Sequence, residues 1–223
     1  MEYLKGLEDN AFELAIVDPP YGLGEDGGTN RNHGVKQANG TVLNCFDGQY
    51  KNKNWDKEPP SEKYFLELFR VSKNQIIWGA NYHPVALQGG AIVWDKVNDG
   101  ADQSGAEIAF CSLNNRVDIV RFMWRGMMQG LSVEKGTVQQ GNKKLNEKRI
   151  HPTQKPIKLY EWLLKNYAKE GDGILDTHLG SASSAIAAHY GGFDFVGCEL
   201  DEDYYKAAVK RFDAETKQQA MQL

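Results

Sequence analysis

Ile174-Leu175-Asp176-Thr177-His178-Leu179-Gly180-Ser181-Ala182-Ser183-Ser184 is the stretch that decides the fold. Gly173 to Asp176 is short and apolar and reads as a buried strand. The Gly/Ser turn after it opens a helix of small residues from about Ser181 to Tyr190. Phe193-Asp194-Phe195-Val196-Gly197-Cys198 is a second strand, and Glu199 stands at its end. Strand, helix and strand in this order form a β-α-β unit, the signature of a parallel sheet. The small turn lets a ligand approach the backbone, and the amide end of the helix favours an anion. An acid about twenty residues on, at the end of the next strand, suits a ribose diol. A nucleoside-bearing cofactor is the physical reading. The turn is not GxGxxG, so a dinucleotide is the weaker choice. A tight βα turn without any ligand is the plain alternative.

Far upstream, Phe12-Glu13-Leu14-Ala15-Ile16-Val17 reads as another buried strand, and it runs into Asp18-Pro19-Pro20-Tyr21. That tetrad therefore falls at a strand end, on the edge where open α/β sheets bind ligands. Two consecutive prolines donate no N–H, so their carbonyls act as acceptors only. Asp18 adds a carboxylate and Tyr21 a flat aromatic face. An amino group on a ring fits between them. Asp-Pro-Pro is also an ordinary strand-to-loop turn, and alone it carries no function.

The length of 223 residues with 41% hydrophobic suits one substantial core. The net charge of -4 excludes a protein that coats nucleic acid through bulk charge. Positive charge is local instead. From Arg125 to Lys158 stand eight Lys/Arg against two Glu, a net +6. This is either a solvated face or a phosphate-contacting segment. Cys45, Cys111 and Cys198 form no CxxC pair, and the histidines share no metal-ligand spacing. A reduced, cytoplasmic protein without a metal is expected. No apolar run reaches the roughly 18 residues of a membrane span.

Residues 22–60 are rich in Gly, Asn and Lys and lack periodicity; they read as a mobile loop, with Trp55-Asp56 able to dock its end. Ser61 is the expected N-cap of a helix through Val71, with Phe65, Leu68 and Phe69 on one face. Strands follow at 74–78, 91–94, 107–111 and 116–124, the last two joined by a turn at Asn114-Asn115. Pro156 opens a helix carrying Tyr160, Leu163, Leu164 and Tyr167. Asp201 caps a final helix with Tyr205, Ala208, Val209 and Phe212 inward.

Three motifs now stand in order: Asp18-Pro19-Pro20-Tyr21, then His151-Pro152-Thr153-Gln154-Lys155-Pro156, then Asp176 to Ser184 with Glu199. Together they resemble the DNA amino-methyltransferases. They look most like the β-class, in which the order is permuted and the catalytic tetrad precedes the cofactor loop, and within it like small phage and prophage adenine N6-methyltransferases. The resemblance covers almost the entire chain. The family's loop is commonly Asp-Pro-Phe-x-Gly-Ser-Gly. Here Thr177-His178 replace Pro-Phe, and Ala182 replaces the second glycine, which calls for a negative φ at Ala182 or a tolerated exception. A protein-glutamine methyltransferase also uses a Pro-Pro-Tyr tetrad, but its cofactor loop comes first.

The resemblance implies an α/β, Rossmann-like S-adenosylmethionine-dependent methyltransferase fold. Its sheet is mixed and mostly parallel, with helices on both faces. Residues 1–223 are then one domain, with 22–60 as a mobile loop and 125–150 as a small DNA-recognition segment. The implied activity is site-specific transfer of a methyl group from S-adenosylmethionine to the N6 of an adenine flipped out of double-stranded DNA, as in restriction-modification systems. Asp18, Pro19, Pro20 and Tyr21 would be catalytic, with Tyr21 stacked on the base. Asp176, Thr177, His178, Gly180, Ser181, Ser183 and Ser184 would border the methionine part of the cofactor, and Glu199 would take its ribose. Thr153 and Lys155 would lie near the methionine carboxylate or the substrate. Arg125, Lys143, Lys144, Lys148 and Arg149 would meet DNA. The family is often dimeric, and no metal is required. A cytosine N4 methyltransferase is the nearest alternative; that group more often carries Ser at the place of Asp18. A non-catalytic DNA-binding relative is the other. In relatives of this order a strand with an acid precedes the first helix. Here the chain starts at that helix, so an unpaired edge is expected at 193–198, together with an open adenine pocket and weak cofactor binding.

Overall fold

Phe12–Val17 becomes strand β1, and every residue in it except Glu13 is buried. The computed structural model describes residues 1–26, 34–36, 42–44, 53–99, 104–125 and 128–220. The other strands of the main sheet are β2 (Ser72–Trp78), β3 (Gly90–Asp95), β4 (Ala106–Cys111), β5 (Val117–Arg121), β6 (Gly173–Asp176) and β7 (Asp194–Gly197). Their order is β7-β6-β1-β2-β4-β3-β5. β7, β6, β1 and β2 are parallel neighbours, β4 is antiparallel to both β2 and β3, and β5 is parallel to β3. The helices are α1 (Glu2–Lys5), α2 (Glu62–Val71), α3 (Ile157–Tyr167), α4 (Ser183–Gly191) and α5 (Glu202–Ala220).

Alternation along the strands builds two cores. Leu14 and Ile16 of β1, with Ile76, Trp78, Ile92 and Trp94, pack against α3 and α4. Ala15 and Val17, with Ile77 and Leu175, pack against α1 and α2. The sheet is thus mixed, mostly parallel and covered by helices on both faces, as the sequence predicts. Strand β7 pairs only with β6 among the described residues and forms one edge of the sheet.

Several local expectations are corrected. β4 and β5 are not partners, because β3 lies between them. The strand at 116–124 is cut to Val117–Arg121, and Trp124–Arg125 pairs separately with Met128–Gln129. Of its two alternating rows, Val120 and Phe122 are buried, whereas Val117 and Ile119 are exposed. On α2, Phe69 is exposed while Tyr64 is buried. On α5, Ala208 is buried and Phe212 packs against the core as expected, but Tyr205 and Val209 are exposed, and Tyr204 and Arg211 are buried instead. Asp201 caps this helix as expected, accepting from the amides of Asp203 and Tyr204 at 3.0 Å. Helix α4 starts at Ser183, two residues later than predicted.

The expected mobile loop at 22–60 falls largely outside the described residues. Its two described ends are held by Asp56, which is 3% exposed. One carboxylate oxygen accepts from the amides of Tyr21 and Gly22, the other from that of Glu25, each at 2.8 Å. Gly24 N–H also donates to the Asp56 carbonyl at 2.9 Å. Asp56→Ala leaves three amides without their acceptor. It is expected to lower stability by about 3 kcal/mol, read as a lowered Tm, with Asp56→Asn losing less because one acceptor oxygen remains.

Candidate active site

The sheet gathers chemistry at one edge. β1, β2, β6 and β7 point their C-terminal ends the same way, delivering Asp18, Gly79, Thr177 and Glu199 there. β3 ends on that edge with Lys96, and the antiparallel β4 begins there with Glu107 near its start. This is the crevice outside the carboxyl ends of an open sheet where ligands bind.

A cavity of about 440 Å³ opens at this edge, within the usual range for small-ligand sites. Asp18, Pro19, Pro20 and Tyr21 line it together with Trp94, Lys96, Glu107, Trp124, Arg149, Thr153 and Lys155. Tyr21 is fixed by its surroundings. Its hydroxyl lies 2.7 Å from Asp18 Oδ1 and 3.1 Å from Glu107 Oε2. Its ring stacks on Tyr82 with centroids 5.2 Å apart. Gly79, at φ +70°, gives it room: a Cβ there would fall 2.1 Å from the ring. Burial, then the Asp18 and Glu107 carboxylates, push the phenol well above its ordinary value.

Lys155 joins the motifs. Its ammonium lies 2.5 Å from Asp18 Oδ2, 2.9 Å from Glu107 Oε2 and 3.1 Å from the Tyr21 hydroxyl. Its side chain is 4% exposed. Burial works against its charge, but Asp18 and Glu107 overcome this and hold the ammonium above the ordinary lysine range. Lys96 pairs with the other oxygen of Glu107. Burial alone would raise the Glu107 carboxyl; Lys155 and Lys96 hold it at about 2. Lys155 thus faces the Asp18 tetrad and Glu107. Neither Glu107 nor Lys96 stood out in the sequence, since each lies beside an unremarkable strand and in no motif.

No residue of the turn after β6, nor Glu199, lines this cavity; the turn meets its wall through Lys155, whose carbonyl accepts from Ser183 Oγ at 2.7 Å. Asp176 Oδ1 accepts from the His178 amide at 2.9 Å and Oδ2 from the Ser184 hydroxyl at 2.6 Å. Burial raises the Asp176 carboxyl to about 7. Gly180, at φ +51°, donates its amide to Glu199 Oε2 at 2.9 Å, and Glu199 Oε1 accepts from the Asp201 amide at 2.9 Å. Thr177 binds the Tyr64 hydroxyl at 2.6 Å and His178 Nδ1 at 2.9 Å. Burial lowers the His178 imidazole to about 3, so it is neutral. Ser181, Ser183 and Ser184 are buried, and their hydroxyls bond within the protein: Ser181 to Ser183, Ser183 to the Lys155 carbonyl, Ser184 to Asp176. Of the two alternatives the sequence left for Ala182, the structure takes the tolerated exception, with φ +62°. The Ala182 methyl, 2% exposed, packs with Ala185 and Ala208, which offsets the left-handed strain.

Arg211, unforeseen from the sequence, holds this turn from α5. It donates to the Ser181 carbonyl at 2.7 Å, to Ser183 Oγ at 2.9 Å and to Glu147 Oε2 at 2.9 Å. Glu147 also accepts from the Ile157 amide at the start of α3. The 125–150 segment is therefore anchored to both helices. Lys143, Lys144, Lys148 and Arg125 are exposed on it, away from the cavity lining. Arg149 is different: its guanidinium lies 4.6 Å from the Trp124 ring, on the cavity wall. His151 packs between Trp55 and Tyr204, and Thr153 lies 3.2 Å from its Nδ1. Among the described residues, no group of three or more His, Cys, Asp or Glu could hold a metal ion, and no helix is long and apolar enough to cross a membrane.

Known proteins agree with this architecture. The chain is 25% identical to the type II methyltransferase M2.DpnII of Streptococcus pneumoniae, over 97% of this chain and 88% of that one. It is also 25% identical to the type II methyltransferase M.HpaI of Haemophilus parainfluenzae, over 95% and 71%. Its fold matches a putative DNA modification methylase from Thermus thermophilus, solved with S-adenosyl-L-methionine, at a TM-score of 0.51 and 14% identity over 96% and 90%. It matches the cytosine-N4-specific PvuII DNA methyltransferase at 0.50 and 13% identity, over 96% and 86%. A family profile described as DNA methylase covers residues 91–210, more than half of the sequence. With that match, and with a mixed sheet that gathers the tetrad and the small-residue turn at one edge, this chain belongs to the DNA methylase family.

Proposed function

We propose that this protein transfers a methyl group from S-adenosylmethionine to the exocyclic N6 of an adenine flipped out of double-stranded DNA. The observation that carries the reading is the acceptor cavity, where Asp18 and Pro19 stand among Tyr21, Trp94 and Trp124. A carboxylate and a proline carbonyl accept both hydrogens of an amine and favour a more tetrahedral nitrogen. The aromatic walls suit a planar base. Such a base is out of reach inside a duplex and must leave the stack. Asp rather than Ser at position 18 favours adenine over cytosine.

The residues of the turn fit the methyl donor chemically. Gly180 offers a backbone without Cβ, Glu199 a carboxylate for a diol, and Asp176 a buried acid for an ammonium. Leu200, fully exposed beside Glu199, offers apolar surface to a purine. When bound, S-adenosylmethionine supplies an electrophilic methyl on a sulfonium sulfur. Asp18 and Pro19 orient the amine for in-line attack, and the cavity walls restrict water. Asp18 receives the proton that the methylated nitrogen releases. Arg125, Lys143, Lys144 and Lys148 contact phosphates, and Arg149 reaches toward the displaced nucleotide.

Radiolabel transfer from the cofactor to DNA, followed by nucleoside analysis, tests the reading. Wild-type protein is expected to yield N6-methyladenine, and Asp18→Ala to lose transfer by at least about 100-fold while still melting cooperatively. N4-methylcytosine as product would replace adenine with cytosine; no transfer at all would sink the reading.

Two further outcomes follow from the charges. Asp176 is raised from 3.8 to about 7 in the folded protein. Its stability contribution is therefore full below pH 4 and is lost as pH rises toward 7. Asp176→Asn is expected to melt higher than wild type at pH 8, by up to roughly 4 kcal/mol, and to match it near pH 4. Cofactor binding at pH 6.5 should release a proton from Asp176, seen by calorimetry in buffers of different ionisation enthalpy, and should release none at pH 8.5. On the DNA side, neutralising Lys143, Lys144 and Lys148 should reduce the log–log salt slope of binding by about 0.9 for each phosphate that is no longer paired with a cation. An unchanged slope would make them a solvated face.

A further inference from the structure

Four charged side chains of the acceptor cavity, Asp18, Glu107, Lys96 and Lys155, form one contiguous network whose charges sum to zero, while Glu25, Asp56 and Arg149 stand elsewhere on the lining. The four of the network come from separate places, after β1, near the start of β4, after β3 and before α3. Their contacts form a chain. Lys96 pairs with Glu107, Glu107 with Lys155, and Lys155 with Asp18. Tyr21 closes a ring by reaching both Asp18 and Glu107. Beneath lie two buried indoles. The Lys155 ammonium sits 5.3 Å from the Trp78 ring, and the Lys96 ammonium 5.1 Å from that of Trp94.

We propose that Lys155 is a positioning residue that fixes the Asp18 carboxylate for the acceptor amine, and that Glu107 is the counter-charge that holds Lys155 in place. Both Asp18 oxygens are pinned, Oδ1 by Tyr21 and Oδ2 by Lys155. A carboxylate held at both oxygens cannot rotate without breaking a short contact. Its unused lone pairs then face one direction. The ammonium can do this only if its own charge is shared. With Asp18 alone, a buried lysine would bind that carboxylate as a closed pair and compete with the amine. Glu107 draws the ammonium partly away, and Lys96 in turn keeps Glu107 from carrying a surplus negative charge. The balance matters because positive charge arrives on the amine nitrogen as the methyl moves. A surplus positive charge in the network around Asp18 would resist that arrival, and a surplus negative charge would hold the product.

This inference rests on reading Asp18 as the carboxylate of the acceptor site. Steady-state kinetics with cofactor and DNA both varied separate the two. Glu107→Gln keeps the shape and removes the charge. It is expected to lower kcat by about 10–100-fold, the size of a roughly 1 Å misplacement. KM for both substrates should stay within about twofold, since neither is bound through this pair. Lys155→Met is expected to lose at least as much. Because both act on Asp18, the double variant Lys155→Met/Glu107→Gln, left neutral by Lys96 and Asp18, should lose less than the product of the two single losses. Circular dichroism and melting confirm that each variant folds; if Lys155→Met does not, Glu107→Gln carries the test. Wild-type kcat in Glu107→Gln, a loss confined to KM, or strictly multiplicative losses in the double variant would overturn the proposal. If the wild-type protein transfers no methyl group, the reading of the site has failed instead, and the positioning role falls with it.

Discussion

The buried ammonium of Lys155 ties the molecule together. An isolated ammonium in this position would cost several kcal/mol, so the fold has to supply counter-charges wherever the lysine goes. Asp18 arrives at the end of β1 and Glu107 near the start of β4. Lys155 itself comes from the segment before α3, whose helix covers the opposite face of the core from α2. One charge thus fixes how the tetrad, the antiparallel half of the sheet and the His151–Pro156 motif sit relative to each other. The aromatic floor is part of the same device. Trp78 and Trp94 are core residues below and cation-binding surfaces above. Packing and charge placement are therefore not separable here.

The second half of the edge works by backbone rather than by charge. The turn after β6 uses its hydroxyls internally, and its acids are engaged as well, Asp176 by the His178 amide and the Ser184 hydroxyl, Glu199 by the amides of Gly180 and Asp201. Arg211 and Glu147 hold that turn from behind, and by the same contacts they attach the basic 125–150 segment to α3 and α5. A strained Ala182 and a buried Asp176 persist because so many contacts surround them. The edge is built at some cost in stability, as sites commonly are.

A similar arrangement shapes the approach to the tetrad. Asp56 gathers three amides from the loop that follows Pro20, while Lys53 pairs with Asp201 and Asp203 at the start of α5. Trp55 lies between them on His151 and lines the cavity. The few residues 53–56 therefore span from the acceptor side to the turn side of the edge. A ligand on either side meets the same short strap.

The sequence by itself determined the sheet, its parallel half and the two motifs at its edge. These depend on local rules: apolar runs of strand length, prolines without N–H, and a small-residue turn between a strand and a helix. The docking role suspected for Asp56 and the cap at Asp201 were equally local and equally legible. Tertiary structure alone decided the rest. The antiparallel pairing of β4 with β2 brings Glu107 to the edge where Asp18 stands, and that of β3 with β4 adds Lys96, because strand neighbours are chosen by long-range pairing that no adjacent residue encodes. On α5, Ala208 and Phe212 pack inward as the pattern implies, while Arg211, with its bonds to the Ser181 carbonyl, Ser183 and Glu147, is buried where Val209 was expected. Val117 and Ile119 point outward because their strand ends the sheet with its other face on the core. Lys155 and Arg211 acquire their roles from what the fold brings opposite to them, and those partners lie far away in the chain.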